Sequence, residues 1–255
     1  MKNITESPRP VTILSHNLWF SKALEELPET IREHNVGILA LQETAPTREE
    51  MPDEIEGLRL AAHAPEGQTV GLAIYYDSNR WYIADPTTDI TAHQLPPTVW
   101  TERFGFNPSG PRLLEVRLTP TSEQDEKIVI DVFHAANLLS LPRGRRKQIS
   151  AAAEHTENAA TIFESEAVLL GDSNYPFLAS GRESRLLHAV EGKTNLVYVR
   201  SPGRVSTYNR GPLRGQYDRA WTTEGLSHEE FSVLPSRKSD HNKMLLRVKH
   251  RSRQA

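Results

Sequence analysis

The sequence contains no cysteine among its 255 residues. Disulfide bonds, thiolate nucleophiles and cysteine-ligated zinc are therefore excluded. The absence fits a reducing compartment, where disulfides rarely persist. Any catalytic or metal-binding chemistry must come from carboxylates, amides, imidazoles or hydroxyls.

Long hydrophobic runs are also missing. No stretch approaches the roughly 18 apolar residues of a membrane span, and the N-terminal sequence MKNITESPRPVTILSHN lacks the apolar core of a secretory signal. We therefore expect a cytoplasmic protein without membrane contact. Three catalytic signatures are absent as well: the P-loop, the nucleophile elbow G-x-S-x-G and the zinc motif H-E-x-x-H.

Short apolar runs that are rich in β-branched residues and end at turn formers predict strands. These runs are Val11–Leu14, Val36–Leu41, Val70–Tyr76, Leu113–Leu118, Ile128–Phe133, Ala167–Leu170, Tyr217–Thr222 and Met244–Val248. Apolar residues at helical spacing predict a helix over Leu24–Glu33, and an alanine-rich stretch predicts another over Arg145–Phe163. The proline-rich segment LPPTVWTERFGFNPSGPR, residues 95–112, predicts a long loop.

The order of these elements predicts one α/β domain over residues 1–255, with flexible ends at 1–9 and 250–255. No internal repeat and no low-complexity linker divides the chain. Some predicted strands alternate in polarity and others are continuously apolar, which favours a sheet-on-sheet core flanked by helices.

Polar side chains recur where the apolar runs meet loops. In AVLLGDSNYPF, residues 167–177, a strand stops at a glycine, and a carboxylate and a carboxamide follow two positions apart. Strand ends are where a rigid framework can present chemistry. The residues concerned are Asn17, Glu43, His134, Asp172, Asn174, Asp218, Asp240 and His241.

Each of these groups has an ordinary structural explanation when it is considered alone. Asn17 could cap a turn, Glu43 could be a solvated acid at a strand end, and His134 could be a hydrogen-bonded core histidine. Their occurrence together, in this order, favours a functional site.

In this order the motifs resemble those of the endonuclease/exonuclease/phosphatase superfamily, the deoxyribonuclease I-like proteins. They are HNLWF, LALQE, LLGDSN, YDRAW and SDH, and they run from Asn17 to His241. Two departures bear on the subfamily: the middle histidine lies in FHAANLL, although Leu or Ser usually follows it, and Ser173 stands where an apolar residue is commoner. The resemblance implies a four-layer α/β/β/α sandwich, with two packed mixed β-sheets flanked by helices.

The resemblance also implies a divalent metal ion, Mg²⁺ or Mn²⁺. Hard cations prefer oxygen ligands, and one or two carboxylates are enough to hold Mg²⁺. On this interpretation Glu43 is the leading ligand, with Asn17 beside it and Asp240 near. The metal would polarise a phosphoryl oxygen and stabilise developing charge.

Catalytic roles follow from the same resemblance. His241, oriented by Asp218, is expected to act as a base for water or to contact the phosphate, and Asp172 is the rival candidate for the base. Asn174 can donate to a non-bridging oxygen. His134 is expected to stabilise the transition state or to protonate a leaving oxygen.

Positive charge is concentrated in the second half of the chain. Residues 1–140 hold 11 Lys and Arg against 21 Asp and Glu, a net charge of −10, and residues 141–255 hold 19 against 12, a net charge of +7. Arg112 could contact phosphate or pair with a site acid. The group Arg143, Arg145, Arg146 and Lys147 is either a solvated helix start or a phosphate-binding surface.

Together these features favour a metal-dependent phosphodiesterase, most simply a DNA nuclease that works as a monomer on nucleic acid. Two alternatives remain: a phosphatase or DNA-end-processing phosphodiesterase of the same superfamily, and an inactive member that only binds nucleic acid. The complete set of polar residues argues against the inactive member.

Overall fold

The computed structural model describes residues 8–65, 70–98, 110–123, 125–135, 142–174, 180–200, 206–208 and 215–251. Within these ranges no helix is both long enough and apolar enough to cross a membrane. Two seven-stranded β-sheets form the centre of the fold.

Sheet I contains strands from both ends of the chain, in the order β13-β14-β1-β2-β5-β4-β3. Its strands are β1 (Val11–Asn17), β2 (Ile38–Thr44), β3 (Glu54–Ile55), β4 (Leu58–Pro65), β5 (Gly71–Asp77), β13 (Leu226–Leu234) and β14 (Lys243–His250). β1 and β2 are parallel, and the other pairs are antiparallel. The sheet is therefore mixed, as predicted.

Sheet II comes from the middle of the chain and runs in the order β11-β12-β10-β9-β8-β6, with β7 paired to β8. Its strands are β6 (Trp81–Tyr82), β7 (Ile90–His93), β8 (Leu113–Pro120), β9 (Ile128–His134), β10 (Glu166–Asp172), β11 (Val197–Tyr198) and β12 (Asp218–Thr222). β9 and β10 form its parallel pair. Each sheet thus has one parallel pair flanked by antiparallel strands.

The described helices are α1 (Leu27–His34), α2 (Pro142–Phe163) and α3 (Ser180–Glu191), with 3₁₀ turns at Leu24–Glu26 and Arg48–Glu50. α1 carries a proline at the start of its first turn and ends at Asn35, whose φ of 48° closes the helix in the left-handed conformation. α2 is rich in alanine, the residue with the highest helix propensity.

The hydrophobic residues form layers that confirm the four-layer α/β/β/α sandwich. Ile13 and Ile74 of sheet I share one fully buried cluster with Ile130 and Leu170 of sheet II, so the sheets pack face to face. A second cluster joins α1 to the outer face of sheet I. Two smaller clusters lie on the outer face of sheet II, with residues of α2 in both.

Gly171 sets the distance between the parallel strands β9 and β10. Its φ is +148°, and a Cβ at this position would lie 2.0 Å from the backbone oxygen of Phe133. Only glycine combines that conformation with so close an approach. The last residues of β9 and β10 are held side by side as a result.

The predicted elements are all found, with different ends. The eight predicted strands fall on β1, β2, β5, β8, β9, β10, β12 and β14, and the first predicted helix is divided into a 3₁₀ turn and α1. The elements that were not predicted are β3, β4, β6, β7, β11, β13 and α3. Of the predicted loop 95–112, residues 99–109 lie outside the described residues, as do 1–7 and 252–255 of the predicted flexible ends.

Candidate active site

The polar residues predicted from the strand ends lie together at one edge of the two sheets. Sheet I supplies its members from the ends of β1 and β2 and from the segment before β14, and sheet II from the ends of β9 and β10 and the start of β12. Their exposed fractions are Asn17 0%, Asp172 1%, Asp218 2%, His241 5%, His134 7% and Asn174 9%. Buried polar groups at this density need one another as partners.

Strand register explains how sheet II brings three of these side chains together. Asp172 of β10 stands opposite His134 in the parallel strand β9 and opposite Asp218 in the antiparallel strand β12. Residues opposite each other in neighbouring strands point to the same side of a sheet. Asp172 is therefore the centre of the sheet II half of the site.

Two site residues have backbones in the left-handed region, Glu43 with φ 50° and Asn174 with φ 47°. Glu43 lies where the register between β2 and β5 shifts, between Leu41 and Thr44. Asn174 is held by its backbone N–H, which donates to Asp172 Oδ1 at 2.7 Å. Non-glycine residues in the left-handed conformation are often found at functional sites.

Asn17 joins the two sheets through its side-chain amide. Its Nδ2 donates to Glu43 Oε1 at 3.1 Å and to Asp172 Oδ2 at 3.2 Å. Its Oδ1 accepts the backbone N–H of Trp19 at 3.0 Å. One amide thus holds two carboxylates from different sheets near each other, which would otherwise repel.

A group that could hold a metal ion lies beside this amide. His134 Nε2 is 3.7 Å from Glu43 Oε1 and 3.7 Å from Asp172 Oδ2, and ligand atoms of the three residues lie within 4.8 Å of one another. Two carboxylates with an amide and an imidazole nearby fit a divalent cation such as Mg²⁺ or Mn²⁺. Asp240 belongs to none of the candidate metal groups among the described residues.

A second group shares Asp172 and contains the pair of His241 and Asp218. His241 Nδ1 lies 2.8 Å from Asp218 Oδ2, and its Nε2 lies 3.7 Å from Asp172 Oδ2. The ring of Tyr208 packs edge-on against the imidazole, with centroids 5.0 Å apart. The histidine is fixed in orientation on both sides.

The charges around His241 favour its protonated form. Burial alone would lower the pKa of this imidazole, but the carboxylates of Asp218, Asp172 and Asp240 outweigh burial and raise the pKa to about 10. Burial raises the pKa of Asp172, while the charges of His241 and His134 act in the opposite direction. At neutral pH the ring therefore carries a proton next to a carboxylate of increased basicity.

The predicted basic residues are divided by the structure. Arg143 and Lys147 are exposed and Arg146 is half-buried, whereas Arg145 is 4% exposed and donates to the backbone oxygen of Asn174. Arg145 thus belongs to the wall of the site and not to an exposed surface. Its position explains how positive charge is accommodated in the first turn of α2, because the guanidinium finds an acceptor.

Arg112 also supports the site, through two hydrogen bonds with the backbone of His134. Its Nη1 donates to the backbone oxygen of His134 at 3.1 Å, and its own backbone oxygen accepts the N–H of His134 at 3.0 Å. The residue is half-buried. In the structure Arg112 therefore positions the end of β9.

Three further residues support the site: Ser239 and Arg219 were not singled out from the sequence, and Ser173 was noted there only as a departure from the family pattern. Ser239 Oγ donates to the backbone oxygen of Asn17 at 2.7 Å and accepts the N–H of His241 at 3.0 Å. The hydroxyl of Ser173 accepts from Arg219 Nε at 3.0 Å and donates to a backbone oxygen. The polar residue between Asp172 and Asn174 is thus explained by a buried arginine in β12.

Comparisons with known proteins agree with this architecture. The model of the Endonuclease/Exonuclease/phosphatase family matches residues 14–241. No sequence among the curated proteins matches significantly.

The structural neighbours have the same fold at low sequence identity. D. rerio TDP2 complexed with a single-strand DNA product has a TM-score of 0.71 and 13% identity, covering 94% of this chain and 99% of that one. The human Nocturnin catalytic domain has 0.69 and 14%, covering 96% and 97%. A Bacteroides thetaiotaomicron mannosyl-6-phosphatase has 0.65 and 12%, covering 93% and 99%.

Proposed function

The chain belongs to the Endonuclease/Exonuclease/phosphatase family, a family of phosphoesterases, and from this premise we propose that it is a divalent-metal-dependent phosphodiesterase that cleaves DNA. One observation carries the proposal. The group of Glu43, His134 and Asp172 shares a carboxylate with the pair of His241 and Asp218. A metal site and a proton-transfer site therefore meet at Asp172.

The metal ion, Mg²⁺ or Mn²⁺, would neutralise charge on the phosphoryl oxygens when bound. Glu43 is the leading ligand, because its carboxylate is 19% exposed and Asn17 holds its Oε1 in the site. Asn17 would position this carboxylate, and Asp240 would add negative charge nearby. The carboxylate oxygens of the site fit either ion, and His134 would remain available for proton transfer.

The protonation states favour different roles for His241 and Asp172, one as proton donor and the other as proton acceptor. The protonated imidazole, held by Asp218, would donate to a non-bridging phosphate oxygen. Asp172 is the better acceptor for the proton of an attacking water, since burial raises its pKa. His134 faces both carboxylates and would donate to the leaving oxygen. Asn174 would donate to the phosphate through its amide, which in this structure also holds the Ala135 oxygen at 3.0 Å.

The choice of DNA as substrate depends on charge and on analogy. Residues 141–255 carry a net charge of +7, and Arg143, Arg146 and Lys147 supply part of it at the start of α2. A basic surface near a phosphodiester site suits a polyanion. D. rerio TDP2 is complexed with single-strand DNA, which supports a similar substrate here.

A phosphomonoesterase is the second candidate, because the fold neighbours include a mannosyl-6-phosphatase. An inactive binding protein is the least supported, because the predicted polar residues contact one another in a single cluster: Asn17, Glu43, His134, Asp172, Asn174, Asp218 and His241.

The test is a substrate panel with Mg²⁺ or Mn²⁺: plasmid, single-stranded DNA, RNA, abasic DNA and a phosphomonoester. We expect cleavage of DNA and none after chelation, with Glu43→Gln as the matched variant of weakened metal binding. Hydrolysis of the monoester alone would replace the proposal with the phosphatase, and no hydrolysis of any substrate would overturn both.

A further inference from the structure

The outer face of sheet II contains a buried polar zone beneath α2. Apolar residues cover this face in two separate clusters, one around Leu113, Phe133 and Ile149 and the other around Val129 and Ala160. Between them in register stand two acids. Glu115 of β8 is paired opposite Asp131 of β9, and both are 0% exposed. Burying two neighbouring carboxylates is costly unless cations compensate them.

Two histidines lie over these acids. His155 of α2 has its Nε2 2.6 Å from Glu115 Oε2, and its ring centroid is 3.8 Å from that of His93 in β7. Donor atoms of His93, Glu115 and His155 lie within 4.8 Å of one another. We propose that these three residues, the outer histidine cluster, bind a divalent transition-metal ion of the Zn²⁺ type.

An unpartnered nitrogen supports a ligand at this cluster. The buried Nε2 of His93 has no hydrogen-bond partner among the described residues. The hydroxyl of Thr156 donates to the backbone oxygen of Ala152 at 2.9 Å and lies close enough to the Asp131 carboxylate to act on its pKa. Native proteins satisfy almost all buried polar atoms, so the His93 nitrogen calls for a ligand.

The protonation states of His93 and Glu115 suit metal binding, whereas the hydrogen bond to Glu115 raises the pKa of His155, so a bound ion would have to displace the proton of that ring. Burial and the neighbouring His155 lower the pKa of His93, which leaves a neutral ring with a free lone pair. Although burial raises the pKa of Glu115, His155 and Arg117 outweigh it and keep the carboxylate ionised. Arg117 binds Oε1 at 2.7 Å, so Oε2 is the oxygen directed at His155. Burial raises the pKa of Asp131 to about 8, and a nearby cation would favour its charged form.

The ligand types distinguish this cluster from the candidate active site. Two imidazoles and one carboxylate favour Zn²⁺ over Mg²⁺. A tetrahedral site needs ligand atoms about 3.3 Å apart at Zn–N and Zn–O distances near 2.0 Å, a small adjustment from the present spacing. The His155 side chain is 30% exposed, which gives the ion a path of entry and a position for water.

The two sites lie on different sides of sheet II. Asp131 precedes His134 by three residues in β9, so their side chains point to opposite faces about 10 Å apart along the strand. An ion in the outer histidine cluster would join β7, β8 and α2. Its role would be to fix α2, whose first turn contacts Asn174 through Arg145.

The test measures Zn²⁺ binding with a large excess of Mg²⁺ present, which competes with Zn²⁺ for the active site. Wild-type protein is titrated with Zn²⁺ by calorimetry beside His93→Ala, His155→Gln and Glu115→Gln. His188→Ala, at an exposed position of α3, is the matched histidine control, and Glu43→Gln removes the active-site ligand. We expect about one ion per chain in the wild type and both controls, and at least ~10-fold weaker binding in the cluster variants.

A second measurement guards against a folding defect in the variants. Zn²⁺ should raise the Tm of the wild type and of His188→Ala and leave that of His93→Ala and His155→Gln unchanged. Unaltered Zn²⁺ affinity in the cluster variants would overturn the proposal. So would loss of the ion from Glu43→Gln but not from His155→Gln, or a wild type that binds no Zn²⁺ under these conditions.

Discussion

His241 Nδ1 lies 2.8 Å from Asp218 Oδ2, and this contact directs the other ring nitrogen toward Asp172. Asp218 is in β12 of sheet II, whereas His241 precedes β14 of sheet I. The pair therefore crosses between the sheets. Its geometry decides which nitrogen of the imidazole faces the site.

The first prediction concerns this pair. His241→Ala and Asp218→Asn should each lower kcat by about 10²–10⁴, the usual contribution of a positioned proton-transfer group. The double variant should lose little more than either single variant, because the two residues act as one unit. Steady-state kinetics on a small phosphodiester measure all three. Losses that multiply in the double variant would show that the residues act independently.

The second prediction concerns the metal. Glu43→Gln should raise the concentration of Mg²⁺ or Mn²⁺ needed for half-maximal activity, because an amide lacks the charge of the carboxylate. The folded state should be retained, since Gln preserves the shape of the side chain. Glu50→Gln, an exposed glutamate, serves as the control. An identical metal titration in Glu43→Gln and Glu50→Gln would assign the ligand to another residue.

The third prediction separates the basic residues by position. Replacing Arg143, Arg146 and Lys147 with Gln should reduce the slope of log affinity against log salt by up to about 2.7 on duplex DNA, at about 0.9 per phosphate contact. Hydrolysis of a small diester should be unaffected. Arg145→Gln should lower the hydrolysis of the small diester and leave the salt slope unchanged, because this side chain binds the Asn174 backbone. Equal salt slopes in the triple variant and the wild type would identify a solvated helix start.

The fourth prediction concerns acid stability. His16 is 1% exposed, and burial lowers its pKa to about 4, while the His241 backbone oxygen acts in the opposite direction. The unfolded chain binds this proton near pH 6.5 and the folded chain does not, so stability falls as the pH drops from about 6.5 to 4. At pH 5 the loss is about 2 kcal/mol. Denaturant titrations in the presence of a chelator measure the free energy of unfolding at pH 7 and pH 5. The difference between the two values should be smaller for His16→Gln than for the wild type. Equal differences in the two proteins would contradict this prediction.

The fifth prediction concerns Gly171. Alanine here must adopt φ near +148° and approach the Phe133 oxygen, so Gly171→Ala should destabilise the fold by at least about 3 kcal/mol and lower activity. Gly57→Ala is the matched control, because φ is +79° there but nothing lies within 4 Å of the added carbon. It should cost only about 1 kcal/mol. Similar losses of stability in the two variants would refute the steric explanation.

The sequence predicts much of the inner architecture because its signals are local. β1 and β10 are buried throughout or nearly so, and their apolar runs stop at Asn17 and Asp172. β13 was missed because its sequence LSHEEFSVL reads as a polar segment, and most of its residues are exposed or half-buried at the edge of sheet I. Edge strands carry charge for this reason.

Contacts between distant residues account for what the sequence does not reveal. Arg145 meets Asn174 only because α2 crosses back over β10, and no spacing along the chain encodes that meeting. Asp131 lies in an apolar run, IVIDVF, where it reads as an interruption of a strand. The register between β8 and β9 places Glu115 opposite Asp131, and the packing of α2 on the sheet brings His155 to Glu115.

The pairing of β1 with β14 has a consequence for synthesis. Val11 lies opposite Val248, so a central strand of sheet I waits for a neighbour that leaves the ribosome more than 230 residues later. Pairing over such a distance is slow to form. His241 emerges with the same late segment. A nascent chain therefore acquires the last residue of its candidate site at the same time as the strand that completes the sheet, so the site can assemble only when nearly the whole chain has been made.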